Sequence, residues 1–397
     1  MKIAIWGCGS YGEHVYSVLI NTKNMCVIGV FDTDSKKWGR EFGGNRICSP
    51  DSLFNELPDA LFIAIKAGEE RNKVKNNVES MCDIKVYTDI YELVPETIYW
   101  DISGFCNAKC KYCITGRKGR IDDPQYIHLD EFVHDYLHLY EHGMISKKSF
   151  LGLYNWGEPF LNPDILEICA FLSKENQRYA LSTNASIYRK ATDKDTYKTC
   201  DAIYFSMPGF SQSSYDRIHG FDFETIIKNI KLFRENMIQN GFRGEFFISA
   251  HKYRFNEKEL PLMEKWAKNN GIEVNSYYPY LAGNTLIQEY FEHKLDEKQV
   301  KKDLYLNWSA DNDELFFENP LCSQMTINEK GEWTICCLSD SYADDYTIWG
   351  KVTETNSNEE YKQLKKKILC SKSCGICKQY KIAQKILSVN HWDDVSM

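Results

Sequence analysis

The sequence has no long apolar run. Its N-terminal stretch, Met1 to Trp6, is short and breaks at once into glycines, unlike the extended hydrophobic segment of a secretory signal. No other segment approaches the roughly 18 apolar residues of a membrane span, so a cytoplasmic protein with no membrane partner is expected. A basic excess is missing as well: 48 lysines and arginines face 56 aspartates and glutamates, a net charge of −8. Phosphate backbones are gripped by cationic surfaces, so no nucleic acid is expected as a partner and a small molecule is. Repeats and low-complexity tracts are absent. What is there is ordinary for a folded chain, with 43% apolar and 26% charged residues, and 397 residues suffice for two or three domains. The 15 cysteines are not ordinary. In a large chain without a secretory segment they point to metal or redox chemistry rather than to disulfides.

Periodicity predicts an α/β chain in three parts. Residues 1–95 alternate strand and helix: a buried-type strand from Lys2 to Trp6, a tight turn from Gly7 to Gly12, a helix from Glu13 to Asn21, and strands over Cys26 to Phe31, Ala60 to Ile65 and Ile84 to Tyr87. A small doubly wound, Rossmann-like sheet is expected there, ending at Pro95. Over 96–283 six strand-like runs recur between helical segments, starting at Ile98, Phe150, Tyr179, Ala202, Phe246 and Ile272. They predict an incomplete TIM-like (β/α)6 barrel. Asn256 with Glu259 reads as a capping box, and Gly241 and Gly271 as helix C-caps. Residues 284–397 are polar and irregular, with a helix between Thr285 and Leu304, a hairpin near Asn328 to Gly331 and a terminal cysteine cluster, so a small third unit is expected.

The sharpest motif is Cys106-x3-Cys110-x2-Cys113, directly after the run that starts at Ile98. Three thiolates within eight residues can bend around one face of an iron-sulfur cluster and leave one iron without a protein ligand. Structural zinc is the alternative, but it wants a closed set of four. Here the sequence resembles the radical S-adenosylmethionine (SAM) superfamily, whose motif is this loop after the first barrel strand. The resemblance implies a [4Fe-4S] cluster whose open iron chelates SAM, a one-electron donor such as flavodoxin or ferredoxin, and reductive cleavage to a 5′-deoxyadenosyl radical. It also implies that Tyr112 packs near the adenine, that Gly157-Glu158-Pro159 is the turn contacting the SAM amino group, and that Ser182, Asn184 and Ser206 at the next strand ends meet its carboxylate or ribose.

A second group comprises Cys322, Cys336, Cys337, Cys370, Cys374 and Cys377. It resembles the twitch or SPASM extensions, which implies an auxiliary [4Fe-4S] cluster on Cys322, Cys336, Cys374 and Cys377, with Cys337 or Cys370 able to substitute. Four cysteines ending in Cys-x2-Cys are also a zinc-ribbon pattern. Near the N-terminus, Gly7-x-Gly9-x-x-Gly12 follows a strand and opens a helix, and Asp32 ends the next strand. That is the dinucleotide fingerprint: glycines admit a phosphate to the helix N-terminus, and the acid receives ribose hydroxyls. The segment around Asp32 resembles nucleotide-sugar-binding domains of polysaccharide-assembly enzymes, so a bound nucleotide and a ligand-free scaffold both stay open. His134, His138 and His142 share one helical face, read as solvated. Arg117, Lys118 and Arg120 either grip an anion or face water.

The resemblance implies hydrogen abstraction from a sugar or nucleotide-sugar. Dehydrogenation comes first, because an auxiliary cluster can take the second electron. Epimerisation is the rival and needs a hydrogen donor such as the thiol of Cys169 or Cys200. A peptide-modifying enzyme is the alternative, set back by the Rossmann-like unit standing where such enzymes carry a winged-helix domain. The non-enzyme alternative is a zinc-binding nucleotide sensor.

Overall fold

The computed structural model describes residues 1–55, 58–94, 97–118, 125–305, 325–334, 337, 340 and 350–368. Chain contacts divide it into two compact units, one built of Met1–Thr97, His134–Phe150 and Thr353–Tyr361, the other of Ile98–Val133, Leu151–Val352 and Lys362–Met397. The boundary at Pro95 lies outside the described residues.

In the first unit the chain runs β1 (Lys2–Trp6), α1 (Ser10–Ile20), β2 (Cys26–Phe31), β3 (Glu41–Phe42), β4 (Asn45–Cys48), β5 (Ala60–Ile63), α2 (Gly68–Met81) and β6 (Lys85–Tyr87). The sheet order is β3-β4-β2-β1-β5-β6, parallel except for the β3–β4 hairpin. Successive side chains of a strand point to opposite faces, and β1 fills two cores in this way. Ile3 and Ile5 pack with Val15, Leu19 and Phe62, whereas Ala4 and Trp6 pack with Leu53, Leu61 and Val78.

The chain continues with β7 (Thr97–Trp100), α3 (Ile114–Lys118), α4 (Leu129–Glu141), β8 (Phe150–Gly152), α5 (Ile165–Lys174), β9 (Tyr179–Thr183), β10 (Cys200–Met207), α6 (Gln212–Arg217), α7 (Phe223–Gln239), β11 (Glu245–His251), α8 (Leu260–Asn269) and β12 (Glu273–Tyr277). Then come α9 (Asn284–Phe291), α10 (Glu297–Asp303), β13 (Met325–Ile327), β14 (Trp333–Thr334) and α11 (Asn358–Ile368). Strands β7 to β12 stand side by side in chain order, and β13 adds in parallel outside β7. Helix α7 shows why the intervening segments coil: Asp222 caps it by accepting from Thr225 N at 2.8 Å. Ile226, Ile230, Phe233 and Met237 form its buried stripe, each contributing about 1.5–3 kcal/mol.

Three expectations need correction. The single helix expected between Thr285 and Leu304 is two, α9 and α10, broken near His293, which adopts φ +57°. The capping box does not form. Asn256 donates to the carbonyls of Pro208 and His251, both at 2.7 Å, and the Glu259 carboxylate accepts from Phe210 N and the hydroxyls of Ser211 and Ser214 instead, so both side chains tie loops rather than the helix start. The histidine face is only partly solvated: His134 is exposed, but His138 bonds the Thr355 carbonyl at 2.9 Å and stacks on His142. Gly241 and Gly271 do take the left-handed conformation of C-caps, at φ +93° and +63°.

Candidate functional site

The loop between β7 and α3 carries Cys106, Cys110 and Cys113 as free, half-buried thiols at the C-terminal end of the sheet. Neighbouring segments hold it: Lys109 N donates to the His219 carbonyl at 2.9 Å, Ala282 N to the Tyr112 carbonyl at 2.8 Å, and Ile114 N to the Ala282 carbonyl at 2.9 Å. Gly116 is required where the loop folds back, since a Cβ there would lie 2.4 Å from Cys110 N. Burial pushes the Cys106 thiol up to about 12, with Glu158 adding to the effect, and Cys110 and Cys113 rise for the same first reason. The charges of Cys106 and Cys113 both act on Cys110, so the sulfurs are close, and metal would supply the positive charge their thiolates need. Among the described residues no three His, Cys, Asp or Glu side chains gather around a single ion. A cubane does not ask for that, because each thiolate binds its own iron, so the donor set fits a cluster better than mononuclear zinc.

A second layer supports the loop. Asp101, which follows β7, accepts from Trp156 N at 2.9 Å and Gly157 N at 3.1 Å, and Glu158 N donates to the Phe105 carbonyl at 2.8 Å. The Glu158 side chain is taken up within the chain: it accepts from the Thr183 hydroxyl and Asn184 N, both at 2.7 Å, and from Phe160 N at 3.1 Å. Burial still lifts this carboxyl to about 7, against those bonds. Asn184 in turn points its amide at Cys106 Sγ, 3.7 Å away, and at Asn107 Oδ1, 3.0 Å away.

Ser182 and Ser206 are half-buried on β9 and β10. Ser182 is in register with Tyr204, and Ser206 with Ser249, which places these residues on one face of the sheet. Rings line that face in a chain of contacts, Tyr99 to Tyr154 at 5.6 Å, Tyr154 to Tyr204 at 6.3 Å and Tyr204 stacked on Phe247 at 5.1 Å. Nearer the strand ends His251 Nε2 lies 2.6 Å from the Tyr277 hydroxyl. Burial drops His251 to about 4, so its imidazole is neutral at pH 7. Sequence reading missed these residues; tyrosine at alternate strand positions was the available sign.

Tyr112 is buried and donates to Asp303 at 2.5 Å. The same carboxylate holds Lys111 Nζ at 2.5 Å, Gln299 Nε2 at 3.1 Å and the Arg217 guanidinium. Burial alone would raise Asp303, yet the bonds from Lys111, Tyr112 and Gln299 outweigh it and leave the acid below its usual range. Nothing local in the sequence marks this acid, which lies 191 residues from Tyr112.

In the first unit, Gly7 takes φ +115° and Gly12 abuts it, since a Cβ on Gly12 would stand 2.1 Å from the Gly7 carbonyl oxygen. Gly9 has nothing within 4 Å of a built Cβ and precedes α1 without a side-chain cap. Asp32 is occupied from within: one oxygen accepts from Cys8 N at 3.0 Å and Lys37 Nζ at 2.8 Å, the other from Asp34 N at 2.9 Å. A ribose would meet an acid whose two oxygens already accept from the chain.

Other expectations resolve differently. Cys322, Cys336, Cys370, Cys374, Cys377 and Arg120 lie outside the described residues, as does the side chain of Lys118; Cys337 is half-buried. Cys169 and Cys200 are buried on α5 and at the first residue of β10. That is the opposite end of the strands from the cluster loop, which removes both as hydrogen donors. Arg117 reaches Glu289 at 3.7 Å.

Residues 100–253 match the family model of the Radical SAM superfamily. The chain carries a radical SAM domain. That family implies a [4Fe-4S] cluster and SAM. Residues 1–88 match a model described as C2185-like, N-terminal. No curated protein matches the chain. Among solved structures, Streptococcus suis SuiB bound to S-adenosylmethionine is 15% identical with a TM-score of 0.44, over 78% of this chain and 82% of that one. SuiB bound to the precursor peptide SuiA is 14% identical with a TM-score of 0.46, over 76% and 80%. Native anSMEcpe with bound AdoMet is 15% identical with a TM-score of 0.43, over 67% and 80%. Among the described residues no helix is long and apolar enough to cross a membrane.

Proposed function

We propose that the radical SAM domain removes hydrogen from a sugar or nucleotide-sugar and oxidises one of its alcohols to a ketone. Cys106, Cys110 and Cys113 would hold the cluster, which with SAM would supply reductive cleavage of the sulfonium bond and a hydrogen-abstracting adenosyl group. The observation that carries the substrate class is the sheet face beneath the cluster loop. Tyr99, Tyr154, Tyr204 and Phe247 offer ring surfaces, and Ser182, Ser206 and Ser249 offer hydroxyls. Rings meet the C–H faces of a sugar while hydroxyls bond its polar edge. Converting an alcohol to a ketone removes one hydrogen atom, one proton and one electron. The atom would go to the deoxyadenosyl carbon, the proton to water, and the electron to an auxiliary iron-sulfur cluster that Cys322, Cys336, Cys374 and Cys377 would hold as a twitch- or SPASM-like site. The Rossmann-like first unit is read as the binder of a nucleotide portion, on the support of the Gly7–Gly12 turn and the open backbone at Gly9. A low-potential donor such as flavodoxin or ferredoxin supplies the priming electron.

The test is anaerobic reconstitution with iron and sulfide counting, then reduction with SAM and a search for 5′-deoxyadenosine, alone and with a panel of sugars and nucleotide-sugars. About eight irons, with deoxyadenosine release rising alongside a ketone product, support the reading. About four irons remove the electron acceptor and with it the dehydrogenation. Product from a peptide, or an unchanged carbon skeleton with one inverted centre, replaces it with the rival chemistry.

A further inference from the structure

We propose that Asn184 sets the reduction potential of the cluster held by Cys106, Cys110 and Cys113, by donating an amide N–H to the Cys106 sulfur. The proposal rests on the radical SAM reading of that loop. Asn184 directly follows β9 and is buried. Its backbone N–H and both side-chain polar atoms are committed. The backbone N–H goes to the Glu158 carboxylate at 2.7 Å, and the side-chain oxygen accepts from Ser186 N at 2.9 Å. The side-chain nitrogen faces two acceptors, Asn107 Oδ1 at 3.0 Å and Cys106 Sγ at 3.7 Å. Turning the amide over would set its oxygen against both acceptors and its nitrogen against the Ser186 donor, so the network itself fixes which end meets the sulfur. Asn107 is held in its turn by Ser186, whose hydroxyl lies 2.9 Å from its amide.

A donor placed on a cluster sulfur stabilises the reduced state, which carries one more negative charge, more than the oxidised one. Hydrogen bonds to the sulfurs are among the terms that set iron-sulfur potentials. Asn184 is thus assigned to the protein ligand of the cluster rather than to the carboxylate or ribose of SAM. The Glu158 turn acquires a purpose as well, because its carboxylate holds the backbone from which this amide projects.

The experiment is a reductive titration followed by electron paramagnetic resonance on the reconstituted full chain, wild type against Asn184→Ala and Asn184→Asp, each without and with SAM. The expected result is full iron loading in all three proteins. Both variants should be harder to reduce by roughly three- to tenfold in the one-electron equilibrium, where tenfold is about 59 mV, and the shift should be present before SAM is added. Loaded variants with an unmoved potential overturn the proposal, and so does a shift that emerges only with SAM, which makes the cofactor the partner of Asn184. Iron lost from both variants would assign the residue to assembly of the loop and likewise overturn it. A wild-type chain that takes up no cluster overturns the radical SAM reading together with the proposal, whereas the preceding outcomes leave that reading intact.

Discussion

Gly157 and Ser103 approach so closely that no side chain fits between them: a Cβ on Gly157 would stand 1.6 Å from the Ser103 carbonyl oxygen. The obstacle is backbone, which cannot swing aside as a flexible side chain can. Gly157→Ala must therefore part the turn from the cluster loop, breaking the bond from Glu158 N to Phe105 as it does so. Overpacking a core costs about 1–3 kcal/mol, and this site should reach the upper part of that range. Iron content after reconstitution should fall below half that of the wild type, with the far-ultraviolet circular dichroism retained. A fully loaded variant would show that the loop does not lean on this turn.

Asp101 makes the stability of the chain depend on pH. Burial drives its carboxyl up to about 7, with Glu329 adding to the rise and the N–H groups of Gly157 and Trp156 opposing it. The unfolded group titrates near 3.9. Between about pH 4 and 7 the native state keeps a proton that the unfolded chain releases, so this group's stabilisation is complete below pH 4, fades as pH rises to 7 and is gone above that. Three units correspond to about 4 kcal/mol at most. Thermal melting of the cluster-free protein should fall between pH 5 and pH 8, and Asp101→Asn should flatten that slope. An equal slope in the variant would place the titration elsewhere.

Much of this architecture is legible in the sequence, because periodicity reports burial directly. Strands β1, β2 and β9 fall where alternation and β-branched residues set them, and the Cys106–Cys113 loop announces its own chemistry. What escapes is contact at a distance. Asp303 bonds Tyr112 from 191 residues away, and only folding brings α10 beside the cluster loop. The Asn256–Glu259 spacing fits a capping box equally well, yet the Ser211 and Ser214 hydroxyls compete for Glu259 and win it. The resemblance implies only that Asn184, at the end of a strand, meets the carboxylate or ribose of SAM. That its amide turns to a cysteine sulfur depends on Ser186 and Asn107 fixing its rotamer.

Asp32 in the first unit carries an opposite pH signature. Burial works to raise its carboxyl, but the Lys37 ammonium and the N–H groups of Asp34 and Cys8 outweigh it and hold the acid below its usual value. The stabilisation is complete above about pH 4 and is lost as pH falls through the lower native value. Because Lys37 is more than a third exposed, solvent screens the pair, and Lys37→Met should cost no more than about 1 kcal/mol. The same substitution should loosen the grip on Asp32. If the Gly7–Gly12 turn takes a nucleotide whose ribose reaches this acid, calorimetric titration with uridine diphosphate should give tighter binding to Lys37→Met than to the wild type. Equal or weaker binding would show that the lysine serves the ligand rather than competing with it.

Asp303 is where two positive groups and Tyr112 depend on a single buried carboxylate. Removing one partner of a buried charge pair costs about 3–5 kcal/mol. Lys111 and Arg217 are each about a third exposed and recover part of that in water, so Asp303→Asn should cost about 2 kcal/mol. The functional effect should exceed the structural one on the proposal that Tyr112 packs near the adenine, because the carboxylate fixes the Tyr112 ring. SAM affinity of the reconstituted protein, measured by equilibrium dialysis, should fall about tenfold in Asp303→Asn. In Tyr112→Phe, which keeps the ring and loses only the bond, it should fall by a smaller factor. If both variants bind SAM as the wild type does while Asp303→Asn still melts early, the carboxylate serves to hold α10 to the loop and has no part in presenting Tyr112 to the cofactor.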